Sequence, residues 1–165
     1  MDKMFCFQCQ QTAHNTGCEG NAGVCGKKCG TANAQDALTN ALIGLARAVN
    51  KKTPSEQSDR LVLKGLFTTV TNVNFHEDNV RKLTQEIQAE RNAIDASAEE
   101  YDIRNIWEDH EDIRSLKSLI LFGLRGMAAY AYHALALGYT DRDVLNYFYE
   151  ALAVLGEPSD TSKEN

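Results

Sequence analysis

Five cysteines, Cys6, Cys9, Cys18, Cys25 and Cys29, lie within 24 residues of a 165-residue chain, and residues 30–165 hold none. Buried structural thiols are spread among elements, so clustering means that these sulfurs share one task. Their number is odd, and MDKMFCFQCQQ at the N-terminus has no apolar stretch after its lysine. A secreted disulfide framework is therefore a poor reading. Gly17, Gly20, Gly23, Gly26 and Gly30 fall in the same stretch, five of the eleven glycines in the chain. Glycine allows tight turns and brings backbone N–H groups close to an anionic object. A thiolate-ligated centre is such an object. Residues 6–30 read as a loop that wraps a metal centre, with cysteine as ligand and glycine as hinge.

The spacing leaves two centres open. Zinc takes four tetrahedral ligands, commonly from two short knuckles. Cys6/Cys9 and Cys25/Cys29 would supply them, with Cys18 idle. An iron–sulfur cluster takes four thiolates from one compact loop. Cys6, Cys9, Cys18 and Cys25 would serve, with Cys29 idle. His14 sits in the same loop, where four thiolates already suffice, and reads as a solvent-exposed residue.

MFCFQCQQTAHNTGCEGNAGVCGK at 4–27 resembles the opening of the hybrid cluster proteins, also called prismane proteins or hydroxylamine reductases. The residues that carry the likeness are Met4, Phe5, Cys6, Cys9, Gln10, Gly17, Cys18, Gly23, Cys25, Gly26 and Lys27. It continues through Gln35 and Asp36 to LFTTVTNVNF at 66–75 and returns in DIRSLKSLILFGLRGMAAYAYHALALGY at 112–139. The resemblance implies that Cys6, Cys9, Cys18 and Cys25 bind an N-terminal 4Fe–4S cluster, a 2Fe–2S centre or zinc being less favoured. The eight residues between Cys9 and Cys18 match the short-gap, cubane type of the family. Cys29 departs from the pattern and stands as a spare thiol. The stretch between Phe75 and Asp112 is short, as in members that lack one helical bundle.

In the family, a hybrid iron–sulfur–oxygen cluster on later α/β domains reduces hydroxylamine to ammonia. Its ligands lie beyond the region matched here. The resemblance implies an electron-entry domain fed by a ferredoxin-like reductant. It would pass electrons to those α/β domains or to a second copy, with no turnover of its own. The rival reading is a non-catalytic module stapled by zinc or by a structural cluster.

Beyond the loop the chain reads as an all-α helical bundle, residues 31–156, with a polar tail at 157–165. Leu38, Ala41, Leu42, Leu45 and Val49 recur at helical spacing from Thr31, a candidate cap, to about Asn50. Pro54 breaks the pattern and Ser55 can cap a second helix, whose stripe Val62, Leu63, Leu66, Phe67, Val70 and Val73 ends near 75. A third helix is expected over 77–96, on Val80, Leu83, Ile87 and Ile94. Residues 97–111, with six acidic side chains, read as an irregular connection that includes a solvated acidic run at 108–112. A long helix is expected over 112–137, facing the core with Leu116, Leu119, Ile120, Leu124, Met127, Ala131 and Leu135 and stopped by Gly138. Gly123 and Gly126 suggest close helix packing there. Thr140–Asp143 resembles a capping box for a last helix to Gly156, with Val144, Phe148, Leu152 and Leu155 inward. Tyr130, Tyr132, Tyr139, Tyr147 and Tyr149 read as core edges with satisfied hydroxyls, and His133 as a packed or surface residue rather than a ligand.

A net charge of −6 and a pI near 5.2 argue against a nucleic-acid partner. Mean hydropathy is −0.40, and no run approaches the roughly 20 apolar residues of a membrane span. A cytoplasmic protein without membrane contact is the expectation.

Overall fold

Along helix α1 (Cys29–Val49), Leu38, Leu42, Ile43, Leu45 and Ala46 are all fully buried. Ala41 and Gly44 are buried as well, so residues 41–46 are covered on every side of the axis and this helix needs partners all round. The computed structural model describes residues 3–9, 12–49, 52–70 and 74–159 and supplies them. Helices α2 (Glu56–Thr68), α3 (Glu77–Ile94) and α6 (Arg142–Leu155) pack on α1. Helix α5 (Glu111–Ala136) lies across α2 and α6, and α4 (Arg104–Trp107) is a single turn that leads into it. The fold is all-α. Among the described residues the only sheet is a small antiparallel pair in the cysteine region, β1 (Met4–Cys6) with β2 (Cys18–Gly20).

Several boundaries differ from the sequence expectation for local reasons. Helix α1 starts at Cys29, before Thr31, and Thr31 is buried with its Oγ1 donating to the Phe75 carbonyl at 3.3 Å. Helix α2 is capped by Ser55, whose Oγ accepts from the Ser58 N–H at 3.0 Å, as expected. It ends at Thr68, well short of 75. Thr68, Thr69 and Val70 are all β-branched, which weakens a helix end, and Thr69 Oγ1 donates back to the Leu66 carbonyl at 2.8 Å. Helix α3 stops at Ile94, where Asp95 leaves the helix in an extended conformation. The cap of α6 is Asp141 rather than Thr140, its Oδ1 accepting from Asp143 and Val144 N–H groups at 2.9 and 3.1 Å. Gly138 does terminate α5: at φ 83 it donates to the Leu135 carbonyl while Tyr139 N–H reaches Ala134, a Schellman turn. Gln10, Asn50, Val73 and tail residues 160–165 lie outside the described residues.

The larger correction concerns the face of α5. Its buried residues are Ser118, Leu121, Leu124, Arg125 and Ala128. Leu116, Leu119 and Met127 of the expected stripe are 57, 67 and 40% exposed. The helix is apolar on two sides, and the pattern alone selected a stripe straddling both. Gly123 and Gly126 face open space, with nothing within 4 Å of a Cβ built on either, so they do not mark a close helix crossing. Val144 of α6 is likewise exposed, whereas Phe148, Leu152 and Leu155 are buried. Of the tyrosines, Tyr149 is buried and donates to Asp59 Oδ1 at 3.0 Å, and Tyr132 stacks on Phe67. Tyr130, Tyr139 and Tyr147 are exposed rather than core edges. By length and composition α5 also reaches what a membrane crossing needs, which the search for long apolar runs had not anticipated.

The corrected face makes a clean test. Leu121→Ala should cost about 2–5 kcal/mol, because it leaves a cavity in a site that is 1% exposed. Leu119→Ala, on the other side of the same helix, should stay within about 0.5 kcal/mol of the parent. Urea midpoints of the two variants decide it, and equal losses would contradict the burial pattern.

Candidate metal centre

The cysteine region is short on regular structure and held by a few specific contacts. Strands β1 and β2 pair Cys6 directly with Cys18. Gly17, at φ 136, enters β2, and a Cβ there would strike the Phe5 ring at 2.5 Å. After β2 the chain turns back on itself: Gly23 N–H donates to the Lys27 carbonyl at 2.8 Å, and Gly26 N–H to the Gly23 carbonyl at 2.9 Å. Gly26, at φ 82, makes that turn between Cys25 and Lys27. Met4, Cys18 and Ala32 form a small buried cluster separate from the main core, with Cys6 and Cys29 packed against it.

The seating on the helical body is equally specific. Asn33 of α1 donates to the Lys3 carbonyl at 3.3 Å. The Phe7 ring meets Trp107 of α4 edge-on, with centroids 4.4 Å apart. Lys27 Nζ donates to Gln35 Oε1 at 2.6 Å, and Gln35 Nε2 donates to the Asn74 carbonyl at 3.0 Å. Loop, α1 and the segment before α3 are thus joined through one glutamine.

Cys6, Cys9, Cys18 and Cys25 line one mostly enclosed pocket together with Met4, Gln8, Thr12, Gly23 and Lys27. Cys29, at the start of α1, is not in that lining. All five cysteines are free thiols. The Val24 N–H donates to Cys18 Sγ at 3.5 Å, the amide-to-sulfur contact that an anionic thiolate favours. Among the described residues no three His, Cys, Asp or Glu side chains close on one point as ligands of a single ion do. The lining fits an iron–sulfur centre by donor type, four thiols on one pocket, while the interior is only about 10 Å³.

The electrostatics behind the pocket were not read from the sequence. Burial pushes the Cys6 thiol up, opposed by the Gln8 backbone N–H and by the charge of Lys27. Burial also pushes the Asp36 carboxyl up to about 7, against the pull of Arg125 and Lys27. Gln8 Nε2 lies 3.5 Å from Asp36 Oδ1. Arg125, buried on α5, is pulled down to about 10 by burial, with Asp36 and Cys6 acting the other way. Nothing in a one-dimensional pattern shows that the charge of Arg125 acts on Asp36 and Cys6. Lys27, Gln35 and Asp36 stood in the sequence only as matched positions.

The other sites weighed from the sequence are not brought to the pocket. His14 is exposed, in a left-handed conformation (φ 54) within a short 3-10 turn. His133 is exposed on α5 beside Phe67. Asp109 does not belong to a solvated run: it pairs with Lys117 at 3.3 Å and accepts from Ser159. The Ser159 hydrogen bond is the main cause that holds its carboxyl below the usual range.

A family model described as "Prismane/CO dehydrogenase family" matches residues 4–162. A hydroxylamine reductase of Caldanaerobacter subterraneus subsp. tengcongensis is 37% identical over 92% of the chain and 33% of its own length. Those of Desulfitobacterium hafniense and Porphyromonas gingivalis are 36 and 38% identical over 94 and 91% of the chain, and 34 and 32% of their own lengths. The chain therefore spans about a third of the curated relatives it matches.

Asp36 gives the site a pH dependence of known sign. Its folded value of about 7 lies above the ordinary 3.8, so ionising it costs the folded state. Stability from this group is complete below about pH 4 and is lost as the pH rises through 7, by at most roughly 4 kcal/mol. In metal-free protein, Asp36→Asn should gain stability relative to the parent between pH 5 and pH 7.5. Parallel urea midpoints across that range would mean that Asp36 ionises in the fold as it does in water.

Proposed function

Because the chain belongs to the Prismane/CO dehydrogenase family, we propose that it is an iron–sulfur electron-transfer domain of the hydroxylamine reductase type. Cys6, Cys9, Cys18 and Cys25 hold a 4Fe–4S cluster, which when bound supplies one-electron redox chemistry. The observation that supports this is the convergence of these four thiols on one pocket, with Cys29 outside its lining. The short gap between Cys9 and Cys18 favours a cubane over a 2Fe–2S centre. The chain's own residues bind and shelter the cluster. The four thiols ligate it, the Val24 N–H is aimed at Cys18 Sγ, and the Phe7–Trp107 contact seats the loop on α4.

The relatives are hydroxylamine reductases three times as long. In this reading the reduction of hydroxylamine to ammonia belongs to a larger assembly. This domain receives electrons there from a ferredoxin-like donor in the cytoplasm. It passes them to a hybrid cluster carried on further α/β domains, or on another chain, outside these 165 residues.

Protein made without oxygen and with ample iron should be brown, with about four irons and four sulfides per chain. Cys29→Ser should keep that content, whereas Ser at Cys6, Cys9, Cys18 or Cys25 should lose most of it, serine being a poor partner for a soft centre. Stoichiometric zinc in place of iron would establish the structural-staple reading instead. The loaded chain should accept one electron from dithionite yet reduce hydroxylamine no faster than buffer. Sustained turnover by the pure chain would place a catalytic centre within it.

A further inference from the structure

Two cations are buried on the cysteine-pocket side of the fold, Lys27 in the pocket lining and Arg125 behind it, and neither is spent on an ion pair. Lys27, 3% exposed, lines the pocket with the four thiols and gives its Nζ to the neutral Gln35. Arg125, 4% exposed, comes from α5, one hundred residues away in sequence from the loop. Its guanidinium donates to two hydroxyls, Thr69 Oγ1 at 3.0 Å and Thr39 Oγ1 at 3.3 Å. No ion pair within 4.0 Å among the described residues includes Lys27 or Arg125. The two are linked through neutral groups, since Thr39 Oγ1 donates at 2.9 Å to the carbonyl of the same Gln35.

Burying a cation among hydroxyls and amides is unfavourable unless an anion offsets it. Asp36 lies within electrostatic range of both, but its own burial keeps it only partly ionised at neutral pH. Asp36 offsets at most one of the two cations, and the four thiols that share the pocket lining with Lys27 are the other acidic groups it faces. We propose that Lys27 and Arg125 are positioning counter-charges for the cluster held by Cys6, Cys9, Cys18 and Cys25, and that they raise its reduction potential. This rests on the cluster reading above. One electron added to a thiolate-bound cluster adds one negative charge, with no bond made or broken. A fixed cation stabilises the reduced form more than the oxidised form, so the potential rises.

The test uses the full 165-residue chain loaded with iron and sulfide, with Lys27→Gln, Arg125→Gln and Arg125→Lys. Iron per chain, the midpoint of an optical redox titration and the melting temperature of the metal-free forms are read for each. Both Gln variants should shift the reduction equilibrium toward the oxidised form by about tenfold, ~59 mV for a one-electron couple. Arg125→Lys, which keeps the charge, should stay near the parent midpoint. Metal-free Gln variants should melt no lower than the parent, because a buried charge has been removed. Gln variants that fail to load iron while their metal-free forms keep the parent melting temperature, and while Arg125→Lys loads, also support the counter-charge role. Parent-like midpoints in both Gln variants at normal iron content overturn the proposal and leave the cluster reading intact, as does a lowered melting temperature with no change in midpoint. A parent chain that takes up no iron overturns the cluster reading, and the proposal with it.

Discussion

Helix α1 has no exposed residue and is closed to solvent on every side over residues 41–46, and the placement of the other helices follows from that. A helix buried all round is stable only when its partners arrive together, and close packing leaves it little room to shift. Helices α2, α3 and α6 supply those partners, and α5 is carried in on α2 and α6. The N-terminal turns of α1 also carry Asn33, Gln35 and Asp36, which fasten the cysteine region to the body. The core and the site thus share one rigid element. A core defect that displaces α1 displaces the anchors of the cysteine region.

The site itself is built in the opposite way. Its two strands are three residues each, its turns depend on glycines, and its buried apolar cluster consists of Met4, Cys18 and Ala32. Such a segment contributes little hydrophobic stabilisation of its own. Its position depends on a few specific contacts, among them the hydrogen bond from the charged Lys27 to Gln35. The same contacts that hold the loop also determine the field inside the pocket, so fastening and electrostatic tuning cannot be separated at Lys27.

Much of this was legible beforehand because it is local. Thiols spaced along 24 residues announce that they gather, as four of them do on one pocket, and the stripe of Leu38, Leu42 and Leu45 announces a buried helix. Ser55 before an apolar pattern announces a cap. What escaped is either too short or too long in range. Strands of three residues cannot display a period of two. Helix α5 carries apolar residues on two faces, so periodicity could not say that Leu121 is inside and Leu119 outside. Arg125 on such a helix reads as a solvated side chain. Its burial is set by Thr39 and Thr69, hydroxyls on α1 and just beyond α2 that only the folded chain brings together.

The edge-on contact between Phe7 and Trp107 gives the molecule an intrinsic optical probe. Trp107 is the only tryptophan in the chain, and it stands at the seam where the cysteine region meets the helical body. Indole emission therefore reports on one location without any label. Loosening of the seam wets the ring and moves its emission to longer wavelength. A coloured centre held by Cys6, the neighbour of Phe7 in sequence, would lie close enough to drain the indole's excited state. Seating of the loop and filling of the pocket thus become two separate readings, wavelength and intensity, of a single fluorophore.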